Sequence, residues 1–299
     1  MNTPSRTCVS ICGGLGNQMF QYALGCALEK RLHVPIAYDL TWFSHMSGCT
    51  PRKFLLGEFP EIAKSFCVAT EKERNTLLYG GTTLWSRICD ALLRRVRRFG
   101  PAFVQEPSAA YWEGIWNIQC PAYVQGFWQS SQYFEHVEST IRQAFTFPSL
   151  PENSCPLADE ISRLENSIAV HVRRGDYAHN AVTNAVHGLC SSAYYAKAIE
   201  HIQSFAHDAH LYIFSDEPAW VRENFDPHGL PFTVVDIHSE NEAHHDMHLM
   251  SLCRHFIIAN SSFSWWGAWL SQRDGVICAP EDWFVSDNAI DLPPGWLKF

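Results

Sequence analysis

Short apolar runs that stop at glycine or polar residues, each followed by a stretch with helical spacing, recur along the chain and restrict it to βα units around a parallel sheet. The first unit is complete. Residues 8–12 read as a strand, Gly13-Gly14-Leu15-Gly16 as a turn, and residues 17–32 as a helix with Phe20, Leu24, Ala27 and Leu28 near one face. Further buried strands are expected at residues 167–172, 211–214, 232–235, 256–259 and 276–279, spaced for intervening helices, which together predict a Rossmann-like sheet. Residues 147–156 contain three prolines and little periodicity, as a linker does. The expected organisation is therefore α/β with two domains, 1–150 and 151–299.

Apolar residues make up 46% of the 299 and charged residues 18%, a balance that predicts packing throughout without a long disordered tail. The net charge of −9 repels a phosphate backbone, so nucleic acid is not an expected partner, and any phosphate must be held by a local basic pocket. No stretch has the apolar length of a membrane span, and residues 1–11 lack the apolar centre of a signal peptide, so a cytoplasmic protein is expected. The eleven cysteines are scattered and odd in number, without a CxxC pair, and read as buried thiols. Residues 88–99 place Ile88, Leu92, Val96 and Phe99 on one helical face beside Arg94, Arg95, Arg97 and Arg98. That pattern fits a solvated basic face, or peripheral contact with the inner membrane surface.

The stretch Ser167-Ile168-Ala169-Val170-His171-Val172-Arg173-Arg174-Gly175-Asp176-Tyr177 is the most informative, because an apolar strand runs directly into histidine, two arginines and an aspartate. His171 and Arg173 share a face by strand alternation. Open α/β sheets bind ligands at the carboxyl ends of their strands, and arginine's rigid fork matches phosphate oxygens, so Arg173 and Arg174 are phosphate candidates. Surface ion pairing and a satisfied core histidine are the plainer alternatives. A second strand end, Phe256 through Asn260-Ser261-Ser262-Phe263-Ser264, opens an apolar helix, where hydroxyls and unpaired N–H groups suit an anion. Ser261, Ser262 and Ser264 could equally be N-caps. A third, Tyr212-Ile213-Phe214-Ser215-Asp216-Glu217, offers Ser215 and Asp216 to sugar or base N–H and O–H groups, or is an ordinary turn.

The turn with Gly14, Asn17 and Gln18 lacks the full G-x-G-x-x-G spacing; it allows close backbone approach to a diphosphate or sugar, with an ordinary tight turn as the default reading. His238, His244, His245, His248 and His255 cluster in sequence without an HExxH pattern, and the chain has no Asp-x-Asp clamp. No metal or cofactor is expected, so arginine and helix N–H groups would have to neutralise a leaving diphosphate.

His171-Val172-Arg173-Arg174-Gly175-Asp176-Tyr177 resembles the HxRRxD motif of the bacterial and animal α-1,2-fucosyltransferases, glycosyltransferase family 11. Residues 11–22 (ICGGLGNQMFQY), 126–134 (GFWQSSQYF) and 258–266 (IANSSFSWW) resemble the family's other motifs, in the same order, and the likeness covers nearly the whole chain. The resemblance implies a GT-B fold with two Rossmann-like domains facing a cleft, an inverting mechanism, GDP-fucose as donor substrate and a terminal β-galactose as acceptor. By similarity to the α-1,6 core fucosyltransferases it implies Arg173 at the β-phosphate, helped by Ser262 or a neighbouring serine, with His171 and Asp246 at the guanine end. His248 stands where many relatives are apolar. Trp128 is expected to stack on the acceptor sugar and Gln129, with Gln18, to bond its hydroxyls, with packing as the alternative for Trp128.

Inversion requires the acceptor hydroxyl to attack opposite the departing nucleotide through a cation-like transition state, as in glycoside hydrolysis. Stabilising the leaving diphosphate is then the main task, assigned to Arg173, Arg174 and the turn 261–264. Asp176 is the candidate base, although adjacent arginines favour its anionic form and weaken it as one; orienting Arg174 is its other reading. A GT-B transferase with another nucleotide sugar, and a non-catalytic glycan-binding module, are the competing functions.

Overall fold

The computed structural model describes residues 6–46, 50–79, 100, 102–285 and 290–299. The basic stretch 88–99 lies outside the described residues. The chain divides into two compact units, Met1–Thr146 and Phe147–Phe299. The division falls four residues ahead of the expected one, and the expected linker ends in structure: Cys155–Arg163 is a helix with Pro156 in its first turn, where a missing N–H costs nothing.

The first unit holds a parallel sheet of β1 (Thr7–Ser10), β2 (Ile36–Asp39), β3 (Phe103–Gln105) and β4 (Tyr123–Gln125), in the order β2-β1-β4-β3. The helix Leu15–Leu32 follows β1 and is buried on most sides, including Met19, Phe20, Ala23, Leu24, Ala27 and Leu28, so its sequence is apolar all round rather than striped. It ends at His33 in the left-handed conformation (φ 54°), after Lys30 and Arg31 in the last turn, where positive charge suits the helix dipole.

The second unit holds β5 (Ser167–Val172), β6 (His210–Ser215), β7 (Phe232–Val235), β8 (His255–Ile257), β9 (Ile277–Ala279) and β10 (Leu297–Lys298), all parallel, in the order β10-β9-β8-β5-β6-β7. The chain runs outward from β5 to β7, then crosses to β8 on the other side of β5 and runs outward again. The strand order therefore reverses between β5 and β8, the position at which open α/β sheets take their ligands. Every residue of β5 is buried, which is why its sequence is a continuous apolar run rather than an alternating one. Ile168, Val170 and Val172 pack with Tyr194, Tyr195, Ala198, Ile199 and Ile202 of the helix Ser192–Gln203. His171, of opposite parity, bonds Ser264 of the helix Ser262–Leu270, whose Trp265, Trp266 and Trp269 are buried.

Candidate active site

The carboxyl ends of β5, β6 and β8 are tied together by side chains. Ser215 Oγ at the end of β6 donates to the Val172 carbonyl at the end of β5 (2.7 Å) and accepts from Glu217 N–H (3.0 Å). Asp216 accepts the backbone N–H of Arg174 (2.9 Å) through one oxygen and pairs with Arg173 Nη1 (2.8 Å) through the other. Gly175 leaves room for that arrangement, since a Cβ there would overlap the Asp216 carboxylate. Asp176 pairs with Arg173 Nη2, and the Tyr177 ring lies 5.1 Å below the guanidinium. Arg173 is thus held between two carboxylates over an aromatic face, with its side chain only 17% exposed. Burial opposes its charge, but Asp216 and then Asp176 outweigh burial and raise its pKa. Arg174 takes a separate path, bonding Glu217 (3.0 Å) and stacking 3.8 Å over Trp220.

These contacts correct two expectations. Asp176 orients Arg173, not Arg174, because Glu217 and Trp220 already hold the latter. Ser215 and Asp216 spend their polar atoms on the protein's own 172–174 backbone and on Arg173, so they shape the turn rather than offer an unengaged edge to a sugar or base. Trp220, which stacks on Arg174, was not singled out in the sequence, and Glu217 appeared there only as a carboxylate of the third strand end, not as the partner of Arg174.

From β8 the chain turns through Asn260 and Ser261. Ser261 is the N-cap of the helix Ser262–Leu270 and accepts from Phe263 N–H (3.4 Å), the capping use of such a serine. Ser264 is fully buried, so it is not a direct ligand contact; its hydroxyl meets His171 Nδ1 (2.8 Å) and reaches the Ser261 carbonyl (3.3 Å). If the hydroxyl's single proton goes to that carbonyl, Nδ1–H is the donor and Nε2 is left as the acceptor, a tautomer assigned on the bonding network. Burial, with the neighbouring Arg173 charge second, pulls the His171 pKa down to about 3, so the ring is neutral at ordinary pH. Ser262 is the half-buried serine of the group, at the first helical position, where the dipole favours an anion. Asn260, which opens an Asn-x-Ser glycosylation sequon with Ser261 and Ser262, is 3% exposed and donates to the carbonyls of His187 (2.7 Å) and Trp283 (3.2 Å), which leaves no access for a glycan.

Asp246 lies near the start of the helix Ala243–Ser251 and accepts from His238 Nδ1 (2.6 Å), while His238 Nε2 meets Ser154 Oγ (2.7 Å). The His238 side chain is 1% exposed and Ser154 is fully buried, so this Ser-His-Asp chain has no accessible nucleophile and acts as a support for Asp246. Burial raises the Asp246 pKa, against the His238 bond. His248 stacks flat on Phe147 (4.6 Å, 5°), packing as a planar ring. Among the described residues no group of three or more His, Cys, Asp or Glu converges as metal ligands would, and every described cysteine is unbridged.

In the first unit Gln129 Nε2 donates to Asn17 Oδ1 (2.8 Å), so two separate motifs meet where the adjacent strands β1 and β4 end. Gly13 takes the left-handed conformation of the turn (φ 77°), and beside Gly14 there is open space. Gln18 is buried and bonds the Gly13 carbonyl (2.9 Å), the Lys53 carbonyl (2.8 Å) and Leu55 N–H (2.9 Å). It is a bracket for the backbone, and its acceptor role does not stand. Trp128 likewise has no exposed surface and packs edge-on against Tyr133 (5.5 Å); its expected stacking on a sugar is replaced by core packing.

A family model described as glycosyl transferase family 11 matches residues 115–296. The chain belongs to this family. It is 31% identical over 294 residues to an alpha-1,2-colitosyltransferase of Escherichia coli, covering 96% of this chain and 97% of that one. It is 30% identical over 324 residues to the O-antigen biosynthesis glycosyltransferase WbnK of Escherichia coli, covering 98% and 99%. Galactoside alpha-(1,2)-fucosyltransferase 1 of Homo sapiens is 27% identical over 164 residues, covering 52% of this chain and 45% of that one. The crystal structure of the fucosyltransferase NodZ from Bradyrhizobium superposes with a TM-score of 0.50 over 90% of this chain and 93% of that one, at 14% identity, a likeness of fold alone. The protein is a fucosyltransferase-like glycosyltransferase, and its two parallel α/β units are those of the GT-B fold. No described helix is long and apolar enough to cross a membrane.

Proposed function

We propose that this family 11 member is an inverting, metal-independent α-1,2-fucosyltransferase of the cytoplasm that moves L-fucose from GDP-fucose to the 2-hydroxyl of a terminal β-galactose. The observation that carries the reading is the convergence of His171, Arg173 and the N-terminus of the helix Ser262–Leu270 where the strand order reverses between β5 and β8. Arg173 would grip the β-phosphate, Arg174 and the Ser261–Ser262 turn would share its charge, and His171 and Asp246 would meet the guanine. The glycosidic oxygen leaves with the diphosphate as the acceptor oxygen bonds the anomeric carbon from the opposite side. The acceptor proton passes to a carboxylate, and Asp176 is the candidate once the diphosphate takes its place on Arg173. Two guanidiniums and a helix dipole supply the stabilisation that a metal gives in other transferases.

Incubation of the full chain with GDP-fucose and a panel of β-galactosides, followed by linkage analysis, should give an α-1,2-fucosylated product at a rate that chelator does not reduce. Loss of activity with chelator, restored by a divalent ion, would overturn the metal-independent site. A colitosyl donor is the second reading, favoured by 31% identity to the colitosyltransferase over nearly the full length. A higher kcat/KM with GDP-colitose than with GDP-fucose on the same acceptor would select it.

A further inference from the structure

Beyond the end of β4 the chain makes an unusual turn, Gly126-Phe127-Trp128-Gln129, in which Trp128 points into the core at a left-handed φ of 58° while Phe127 is 48% exposed. A tryptophan in that region of backbone space costs about 1 kcal/mol or more and persists only where its surroundings dictate it. Three contacts do so. Glu106, one residue beyond β3, accepts both the Phe127 N–H (2.6 Å) and the Trp128 N–H (2.8 Å). The Gln21 amide donates to the Gly126 carbonyl (2.9 Å), and Gln129 donates to Asn17 (2.8 Å). Gly126 is required by the same clamp, because a Cβ would overlap Glu106. Burial raises the Glu106 pKa, so the clamp is held against a desolvation cost that the two N–H groups only partly offset.

A strained turn, a half-desolvated carboxylate and a bracketed carbonyl have one outward product: an exposed aromatic ring two residues ahead of Gln129, whose amide is paired with that of Asn17, at the carboxyl edge of a parallel sheet. Packing does not need it, since Trp128 supplies the buried ring. A protein partner would call for a wider apolar patch than one ring flanked by amides, whereas a pyranose offers an apolar C–H face to a ring and hydroxyls to amides. We infer that Phe127, with Gln129 and Asn17, forms the subsite for the neutral galactose ring of the acceptor, and that Glu106 is the positioning residue that presents it. The inference rests on the galactoside reading proposed above.

Binding of lactose to the full chain in the presence of GDP, read by ligand-observed NMR titration, tests the subsite without depending on turnover. Phe127→Ala is expected to weaken lactose binding about tenfold, the size of a lost ring contact, with GDP affinity unchanged, and Phe127→Tyr to restore it. Glu106→Gln, which keeps the shape but can accept only through one atom, should raise the acceptor KM while leaving the donor KM as it was. Equal lactose binding in Phe127→Ala, or loss of GDP and lactose affinity together, overturns the subsite. Lactose bound through Phe127 by a chain that transfers neither fucose nor colitose to it upholds the subsite and sinks the proposed activity alone.

Discussion

The carboxyl edges of the two parallel sheets are built on opposite principles. In the second unit, residues 173–176 and 216–217 bring two guanidiniums against three carboxylates, each charge already partnered. In the first, the turns after β1 and β4 are held by neutral amides, Gln18, Gln21, Gln129 and Asn17, and the two anions of the edge, the buried Asp39 that ends β2 and the half-buried Glu106, are spent on hydroxyl and backbone donors of the protein itself. The charged edge suits a ligand that brings its own negative charge and competes for an arginine; the neutral edge suits one that brings only hydroxyls and C–H faces. Preorganisation differs too. At the charged edge the diphosphate would have to displace a carboxylate from Arg173, and the ion pairs keep the fork aimed while the donor is absent.

The sharpest way to break this contrast is at Arg173. Arg173→Ala is expected to reduce kcat by about a hundredfold or more, as loss of a leaving-group stabiliser does. It also leaves Asp176 and Asp216 facing each other without their cation, so the fold should lose about 1–3 kcal/mol, a cost not evident from the sequence. Arg173→Lys separates the two effects: it keeps a charge for the carboxylates, and with it most of the stability, but loses the fork and stays slow. Urea melts and single-turnover rates on both variants give the answer. A Lys variant with near wild-type turnover would mean that charge alone, and not bidentate geometry, serves the diphosphate.

The support of Asp246 should matter about tenfold. His238→Gln leaves the carboxylate in place without its 2.6 Å donor from a planar ring. If Asp246 reads the guanine amino and N1–H groups, its loosened oxygen should lower the preference for GDP over IDP, which lacks the amino group, by about that factor, as expected for one hydrogen bond to a charged group. Competition of the two nucleotides for the enzyme measures it. An unchanged GDP-to-IDP ratio would place the base elsewhere.

How much of this was legible beforehand follows from the same contrast. Arg173 and His171 stood out because charged and titratable residues have no packing reason to end a buried apolar strand, and β5 and β7 fell at the expected residues. The serines were ambiguous for a physical reason: a helix start uses the same hydroxyls for capping as for ligands, and Ser261 and Ser264 turned out to serve the helix and His171. In the first unit the motif residues were visible but their directions were not. Alternation assigns a side chain to a face only while the backbone stays extended, and the left-handed φ at Trp128 turned that ring inward and left Phe127 outside. Glu106 carried no sequence signal, since a lone glutamate beyond a short strand reads as solvated until both N–H groups are seen to meet it. Likewise Ser154, more than eighty residues from His238, could be joined to Asp246 only by the fold.

The smallest effect concerns the histidines, and it separates packing from chemistry within the second unit. Burial, the largest cause, lowers His248 and His255 to about 4, as it lowers His171 to about 3. In the unfolded chain each returns to about 6.5, so below that pH the unfolded state takes up protons that the folded state refuses. Stability is therefore complete above pH 6.5 and falls as the pH drops from 6.5 towards 4, the reverse of a histidine that gains an anionic partner on folding. His248 contributes to that slope from a site where its ring stacks on Phe147 and bonds the Pro148 backbone, so His248→Phe should keep the stack, lose that bond at every pH and remove the titration. The expected result is unchanged turnover at pH 7.5 and a loss of stability between pH 7 and 5 that is smaller than in the unsubstituted chain by about 1 kcal/mol or less, read by urea melts at the two pH values. Turnover that falls together with the slope would make His248 part of the donor site, and the line drawn between the titratable edge at Arg173 and the packed ring beside it would have to move.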